Sequence, residues 1–155
     1  MTRKKILFIC THNSARSQMA EGLLREYFPK NFEAFSAGTA PTFVNPNSKL
    51  VMSEVGIDIG THRSKSLTEF SGVHFDYVVT VCDGAKEACP FFPGEVIIHK
   101  SFPDPSAAAG NQTEVLRAFR QVRDEIKDWI REAFADGGST MQKWGQKWGR
   151  TTVTD

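Results

Sequence analysis

Cys10 and Arg16 stand at the two ends of the run Cys10-Thr11-His12-Asn13-Ser14-Ala15-Arg16, and Ser17 follows at once. A thiol, five intervening residues and a guanidinium make a loop of a length that can wrap a tetrahedral oxyanion. Arg16 offers a planar fork that matches two oxygens of a phosphate-like anion. The amides between Thr11 and Arg16 would supply the rest of the cradle, because N–H groups at the start of a helix point at an anion. A positive loop of this kind favours thiolate over thiol, the form in which a cysteine is a nucleophile. Asn13 and Ser14 suit a tight loop, since Asn tolerates left-handed backbone and both side chains bond neighbouring amides. Ser17 could donate its hydroxyl to the sulfur. The plainer alternative makes Cys10 a small buried hydrophobe and Arg16 a solvated helix residue. Context decides against it: the apolar run Ile6-Leu7-Phe8-Ile9 reads as a buried parallel strand, and the segment after the loop reads as a helix.

Two further signals fall where strands should end. Cys82 follows the apolar run Tyr77–Val81 and opens the stretch Cys82-Asp83-Gly84-Ala85-Lys86-Glu87-Ala88-Cys89-Pro90. Ligands of open α/β sheets collect at the carboxyl ends of strands, so Cys10 and Cys82 could approach each other there. If 82–89 is helical, its two cysteine Cα atoms stand about 10.5 Å apart, whereas a disulfide needs roughly 7 Å or less. A bond between them would therefore require the segment to unwind. Gly84 within it and Pro90 after it make a two-turn helix marginal. The third signal is Phe102-Pro103-Asp104-Pro105. A carboxyl group held over the anion loop could protonate a leaving oxygen; without that loop the same residues would be a proline-flanked turn. His12, His62, His74 and His99 show no metal spacing with the cysteines, so no metal is expected.

The elements that must position these groups alternate between apolar runs and amphipathic stretches. That is the pattern of an α/β fold, here a single-domain four-stranded parallel sheet with helices on both faces. The predicted strands are Lys5–Ile9, Phe32–Ser36, Tyr77–Val81 and Val96–Lys100. The predicted helices are Ala15–Tyr27, Asn47–Glu54, a short one after Cys82, and a long one over Gln112–Phe134. In the last, Val115, Phe119, Val122, Ile126, Trp129 and Ile130 form one apolar stripe.

Residues 1–136 read as the catalytic domain and 137–155 as a flexible basic tail with three basic groups and one acidic. In that tail Gln142-Lys143-Trp144-Gly145 recurs as Gln146-Lys147-Trp148-Gly149. A docking or membrane-surface role for Trp144 and Trp148 is the other reading.

At 155 residues the chain can bury a real core. Its formal net charge of +1 implies no nucleic-acid partner. No run resembles a secretory signal or a membrane span. Three cysteines, an odd number, argue for reactive or buried thiols in a reducing, cytoplasmic setting rather than for a disulfide framework. A monomer is expected.

Together these residues resemble the thioredoxin-coupled arsenate reductases, which share the fold of low-molecular-weight protein tyrosine phosphatases. The resemblance runs from about Lys5 to Phe134 and excludes the tail after Gly138. It is carried by Cys10 to Glu21, Phe35-Ser36-Ala37-Gly38, Glu54 to Asp58, Val79-Thr80-Val81-Cys82, Cys89-Pro90 and Asp104-Pro105. It implies that Cys10 attacks arsenate, that Arg16 and the loop hold the oxyanion, and that Asp104 assists loss of an oxygen as water. It implies that Cys82 then attacks the Cys10–arsenic adduct and that Cys89 takes over Cys82. Thioredoxin would reduce the final disulfide, and no bound cofactor is needed. The electron count agrees, because arsenate to arsenite takes two electrons and two thiols supply them by becoming one disulfide.

His12 departs from the glycine of many relatives, and Ala15 from a further cysteine. Some relatives hold potassium beside the loop through an Asn, a Glu, a Ser and an Asp. Asn13, Glu21 and Ser36 match, but Lys65 stands at the acidic position, so its ammonium is expected to replace the cation. The main rival is a low-molecular-weight tyrosine phosphatase. That fold usually places aromatic residues after the Asp-Pro to grip the substrate ring, whereas Ser106-Ala107-Ala108-Ala109 follows here. Weak phosphatase activity is still expected. A non-enzymatic thiol sensor or arsenite-binding protein would leave the Cys10 loop and Asp104 without purpose.

Overall fold

The computed structural model describes residues 2–83 and 91–148. Four strands, β1 (Lys4–Ile9), β2 (Phe32–Ala37), β3 (Tyr77–Thr80) and β4 (Val96–His99), form one parallel sheet in the order β2-β1-β3-β4. The central strand β1 is apolar on both sides, which is why its sequence shows a continuous run rather than alternation. Ile6 and Phe8 face a core built with helices α1 (Arg16–Tyr27), α2 (Pro46–Ser53) and α3 (Gln112–Phe134). Leu7 and Ile9 face the other side, where Phe75, Phe35, Phe70 and Phe92 pack edge to face. Among the described residues that second side is covered by the 3₁₀ turn Leu67–Phe70 and the segments around it.

The predicted elements and the observed ones differ by a residue or so at their ends. β3 and β4 each stop one residue early, and α1 begins at Arg16, because Ala15 still belongs to the loop. The predicted short helix after Cys82 falls mostly outside the described residues. α3 starts on a reciprocal cap, in which the Asn111 side chain accepts from the Glu114 amide and Glu114 reaches back to the Asn111 N–H.

The tail is where sequence and structure part. Residues 139–148 form a further helix, α4 (Ser139–Trp148), instead of a mobile extension. Gly137 and Gly138 turn the chain with φ of 70° and 99° rather than ending it. Asp136 then accepts from the Thr140 amide and hydroxyl, satisfying the first turn of α4. The Tyr77 hydroxyl donates at 3.3 Å to the Gly138 carbonyl, and Met141 is fully buried in the core beneath the sheet's helical face. No helix among the described residues is long and apolar enough to cross a membrane.

Candidate active site

Cys10 leaves the carboxyl end of β1 buried, and the chain wraps from there into α1. What makes this loop a cradle is the direction of its carbonyls. Thr11 O accepts from Ala40 N at 2.9 Å, Ser14 O from Asn45 N at 3.0 Å, and His12 O from Thr42 N and the Ser64 hydroxyl. Asn13 O accepts from Gln18 Nε2, and Ala15 O from Met19 N within α1. Every acceptor from Thr11 to Ala15 is thus used on the outside of the loop. Asn13 sits at φ 48°, the left-handed conformation its side chain makes tolerable, and this helps the loop curl. α1 starts without a side-chain cap, so the positive end of its dipole faces whatever the loop encloses.

Gly38, at the end of β2, is what lets this loop pack on the sheet. A Cβ there would lie 2.6 Å from the Cys10 carbonyl oxygen and closer still to that of Thr11. Gly38→Ala is therefore expected to push the loop backbone off its seat. We expect a loss of at least about 2 kcal/mol, hence a Tm lower by roughly 4–8 °C, and a larger proportional loss of turnover. Calorimetry and steady-state rates on the same preparation check this; parental activity in the alanine variant would refute it.

The enclosed space is small, about 20 Å³, and is lined by Cys10, His12, Ser14, Ala15, Arg16, Asp104 and Ser106. Such a volume takes little more than one water-sized body. Arg16 is buried, and its Nη1 donates to the Phe102 carbonyl at 3.2 Å. Its Nη2 stands 3.7 Å from Asp104 Oδ2. The Asp104 carboxylate is oriented by Ser106, whose amide and hydroxyl both donate to Oδ1, at 3.0 and 2.7 Å. Acid, guanidinium and thiol therefore meet at one mouth. Phe102 O and Ser106 gave no signal in the sequence beyond their nearness to Asp104.

Below the sulfur lies a buried polar layer. Ser17 Oγ is 2.9 Å from Cys10 Sγ, and Asn13 Nδ2 donates to that oxygen at 2.8 Å. Gln18 Nε2 donates to Asn13 Oδ1 at 2.8 Å. Glu21 accepts from the Ser36 hydroxyl and from Arg25. Lys65 Nζ lies 3.7 Å from Glu21 and donates to the Arg63 carbonyl at 3.0 Å, while its own amide donates to Asn13 Oδ1. Burial lowers the pKa of the Lys65 ammonium and Glu21 opposes that. Thr11 and Asn13 do not line the pocket: Asn13 turns its side chain inward to Ser17. Gln18 and His62, which complete the layer, were not expected as site residues. Their 44-residue separation leaves no local signature.

Cys82 emerges beside Cys10. Val81 N donates to Ile9 O at 2.9 Å, so each thiol is one residue past a bonded pair on adjacent strands, and both are buried in the same core cluster. Cys10 is a free thiol and Cys82 is disulfide-bonded. Cys89 lies outside the described residues. Among the described residues no group of His, Cys, Asp and Glu side chains could hold a metal ion.

Residues 5–144 match the low molecular weight phosphotyrosine protein phosphatase family. The match runs past Gly138 into α4, farther than the sequence motifs reached. The arsenate reductase of Halalkalibacterium halodurans is 41% identical over 139 residues, covering 89% of this chain and 99% of that one. A solved arsenate reductase in its phosphate-binding state superposes with a TM-score of 0.74 at 29% identity, over 86% of this chain and 98% of the other. The thioredoxin-dependent arsenate reductase of Corynebacterium glutamicum gives a TM-score of 0.64 at 29% identity, over 87% of this chain and 62% of its own.

Proposed function

The chain belongs to the low molecular weight phosphotyrosine protein phosphatase family and, within it, to the arsenate reductases; from that premise we propose that it reduces arsenate to arsenite by a relay among Cys10, Cys82 and Cys89. The observation that carries this is the placement of Cys82 one residue past the strand bond to Ile9, next to the nucleophile's own strand end. A hydrolase of this fold has no use for a second thiol there.

Arsenate enters the loop and is held by its amides and by Arg16. The Cys10 thiolate forms a sulfur–arsenic bond, and Asp104 gives a proton to the oxygen that leaves as water. The Cys82 thiolate then attacks the Cys10 sulfur. The sulfur–arsenic bond breaks, its electron pair stays on arsenic, and arsenite departs with arsenic reduced by two electrons. A Cys10–Cys82 disulfide remains. Cys89 attacks Cys82, returns Cys10 to the thiolate and leaves the oxidising equivalents on the Cys82–Cys89 pair. A free Cys10 beside a disulfide-bonded Cys82 is the state this last step would leave. The external dithiol is thioredoxin, the reductant named for the Corynebacterium glutamicum relative. Cytoplasmic location follows from the same chemistry, since the relay needs a compartment that keeps thiols reduced.

Arsenate-dependent NADPH oxidation with thioredoxin and thioredoxin reductase tests the reading. Turnover well above any cleavage of a phosphotyrosine analogue is expected. A parent protein that ignores arsenate and hydrolyses the phosphoester efficiently would make it a phosphatase.

Lys65 bears on ion dependence. Its ammonium occupies the neighbourhood of Glu21 where some relatives hold potassium, so turnover is expected to be the same, within about twofold, in potassium and in sodium at equal ionic strength. A strong potassium requirement would show that Lys65 does not stand in for the cation.

A further inference from the structure

His62 lies behind the catalytic loop with its side chain 8% exposed, and its two ring nitrogens have different partners. Nε2 is 2.9 Å from Arg25 Nη1. A guanidinium can only donate, so Nε2 must accept and carries no proton. Nδ1 is 3.0 Å from Gln18 Oε1, an acceptor, so the imidazole's one proton is there. The groups around the ring agree with a neutral imidazole. Burial lowers its pKa, Arg25 and Lys65 lower it further, and Glu21 and Asp58 pull the other way. Glu21 Oε2 stays 3.8 Å from Nε2, beyond hydrogen-bond range.

That tautomer matches the order of donors above it, which backbone groups of Lys65, Asn13 and Arg63 also hold. With Oε1 of Gln18 accepting from His62, its amide nitrogen faces Asn13 Oδ1 at 2.8 Å, Asn13 O at 3.1 Å and Arg63 O at 2.9 Å. Asn13 Oδ1 also accepts from Lys65 N, so the donor end of the Asn13 amide is the one turned to Ser17 Oγ. Ser17 accepts there, and its single hydroxyl proton is left for Cys10 Sγ at 2.9 Å. Gln18, Asn13 and Ser17 are all fully buried, so water cannot reset the sequence of donors.

We propose that His62 is a positioning residue for the reaction: its Nδ1–H holds Gln18 Oε1 and so keeps the Gln18 amide seated against Asn13, in a buried chain Gln18–Asn13–Ser17 that ends with a donor on the Cys10 sulfur. The inference rests on the proposed function only in taking Cys10 as the nucleophile. Loosening Gln18 frees the Asn13 amide to turn its oxygen to Ser17, which would draw the Ser17 proton away from the sulfur and leave less of Cys10 as thiolate.

The test uses the full chain with Cys82→Ser and Cys89→Ser, so that Cys10 is the only thiol, and follows its alkylation by iodoacetamide at pH 7. Adding His62→Phe, which removes both the donor and the acceptor, is expected to slow alkylation about five- to tenfold. His62→Gln, which can donate to Gln18 and accept from Arg25, is expected to restore the rate to within about twofold. A folded His62→Phe protein that alkylates at the parental rate overturns the proposal. The parent itself gives a second reading by ¹⁵N-resolved imidazole NMR. A neutral ring with the proton on Nδ1 is expected; an Nε2–H ring or an imidazolium at pH 7 overturns it even if His62→Phe does not fold. The alkylation difference without arsenate turnover would sink the reductase reading and leave this one standing. Turnover with no alkylation difference would do the reverse.

Discussion

Serine at position 10, 82 or 89 is expected to stop arsenate-dependent NADPH oxidation, each variant at a different point of the proposed relay. Cys10→Ser loses the nucleophile, and a buried serine hydroxyl has no neighbouring base among its described partners to activate it, so turnover falls to background, by about 10⁴-fold or more. It should still bind phosphate, because the amides and Arg16 are intact. Cys82→Ser forms the arsenic adduct but cannot resolve it, and no arsenite is released unless an external thiol attacks. Cys89→Ser is the informative one. It passes through adduct formation and resolution once, releases one arsenite per chain, and halts as a Cys10–Cys82 disulfide that is buried on both sides. Rapid-mix arsenite measurement without reductant therefore separates Cys89→Ser, with a burst of one equivalent, from Cys10→Ser and Cys82→Ser, which release none. Sustained turnover in Cys89→Ser with thioredoxin present would mean that the reductant reaches the buried pair directly. A burst in Cys82→Ser would place the resolving thiol elsewhere.

How much of this was legible in the sequence follows from the range of the forces involved. The loop was readable because its parts are contiguous: thiol, left-handed Asn, guanidinium and helix start all lie between Cys10 and Ser17, after an apolar strand. Cys82 and Asp104 were readable because parallel strands bring their carboxyl ends to one edge, so a reactive residue after each apolar run meets the others. The layer beneath the sulfur was only half readable. Ser17, Glu21 and Ser36 sit near motif residues, but Gln18 and His62 meet across the fold, and nothing local marks a histidine that works as a neutral donor. The tail was misread for a specific reason. Gly137-Gly138 and the polar residues after it carry the composition of a chain end, whereas the pair supplies two left-handed turns that swing Met141 back under the sheet. A breaker seen without its destination looks like a stop.

Replacing Asp104 with Asn separates binding from chemistry. The amide keeps the shape of the carboxyl group, and its oxygen can still accept from the Ser106 amide and hydroxyl that orient Oδ1. It cannot give a proton to a leaving oxygen. If Asp104 is the acid, kcat for arsenate falls about 10²- to 10⁴-fold, the usual contribution of a positioned proton donor. Affinity should move the opposite way. The carboxylate stands 3.7 Å from Arg16 in a pocket of about 20 Å³, so it shares its guanidinium with any oxyanion that enters and repels that oxyanion's charge. Removing the charge frees Arg16 for the ligand, and phosphate should compete for the loop as well as, or better than, it does in the parent. A fall in kcat with unchanged or tighter phosphate inhibition identifies a proton donor. Loss of both together would instead mean that Asp104 acts by holding Arg16, and the proton would have to come from solvent.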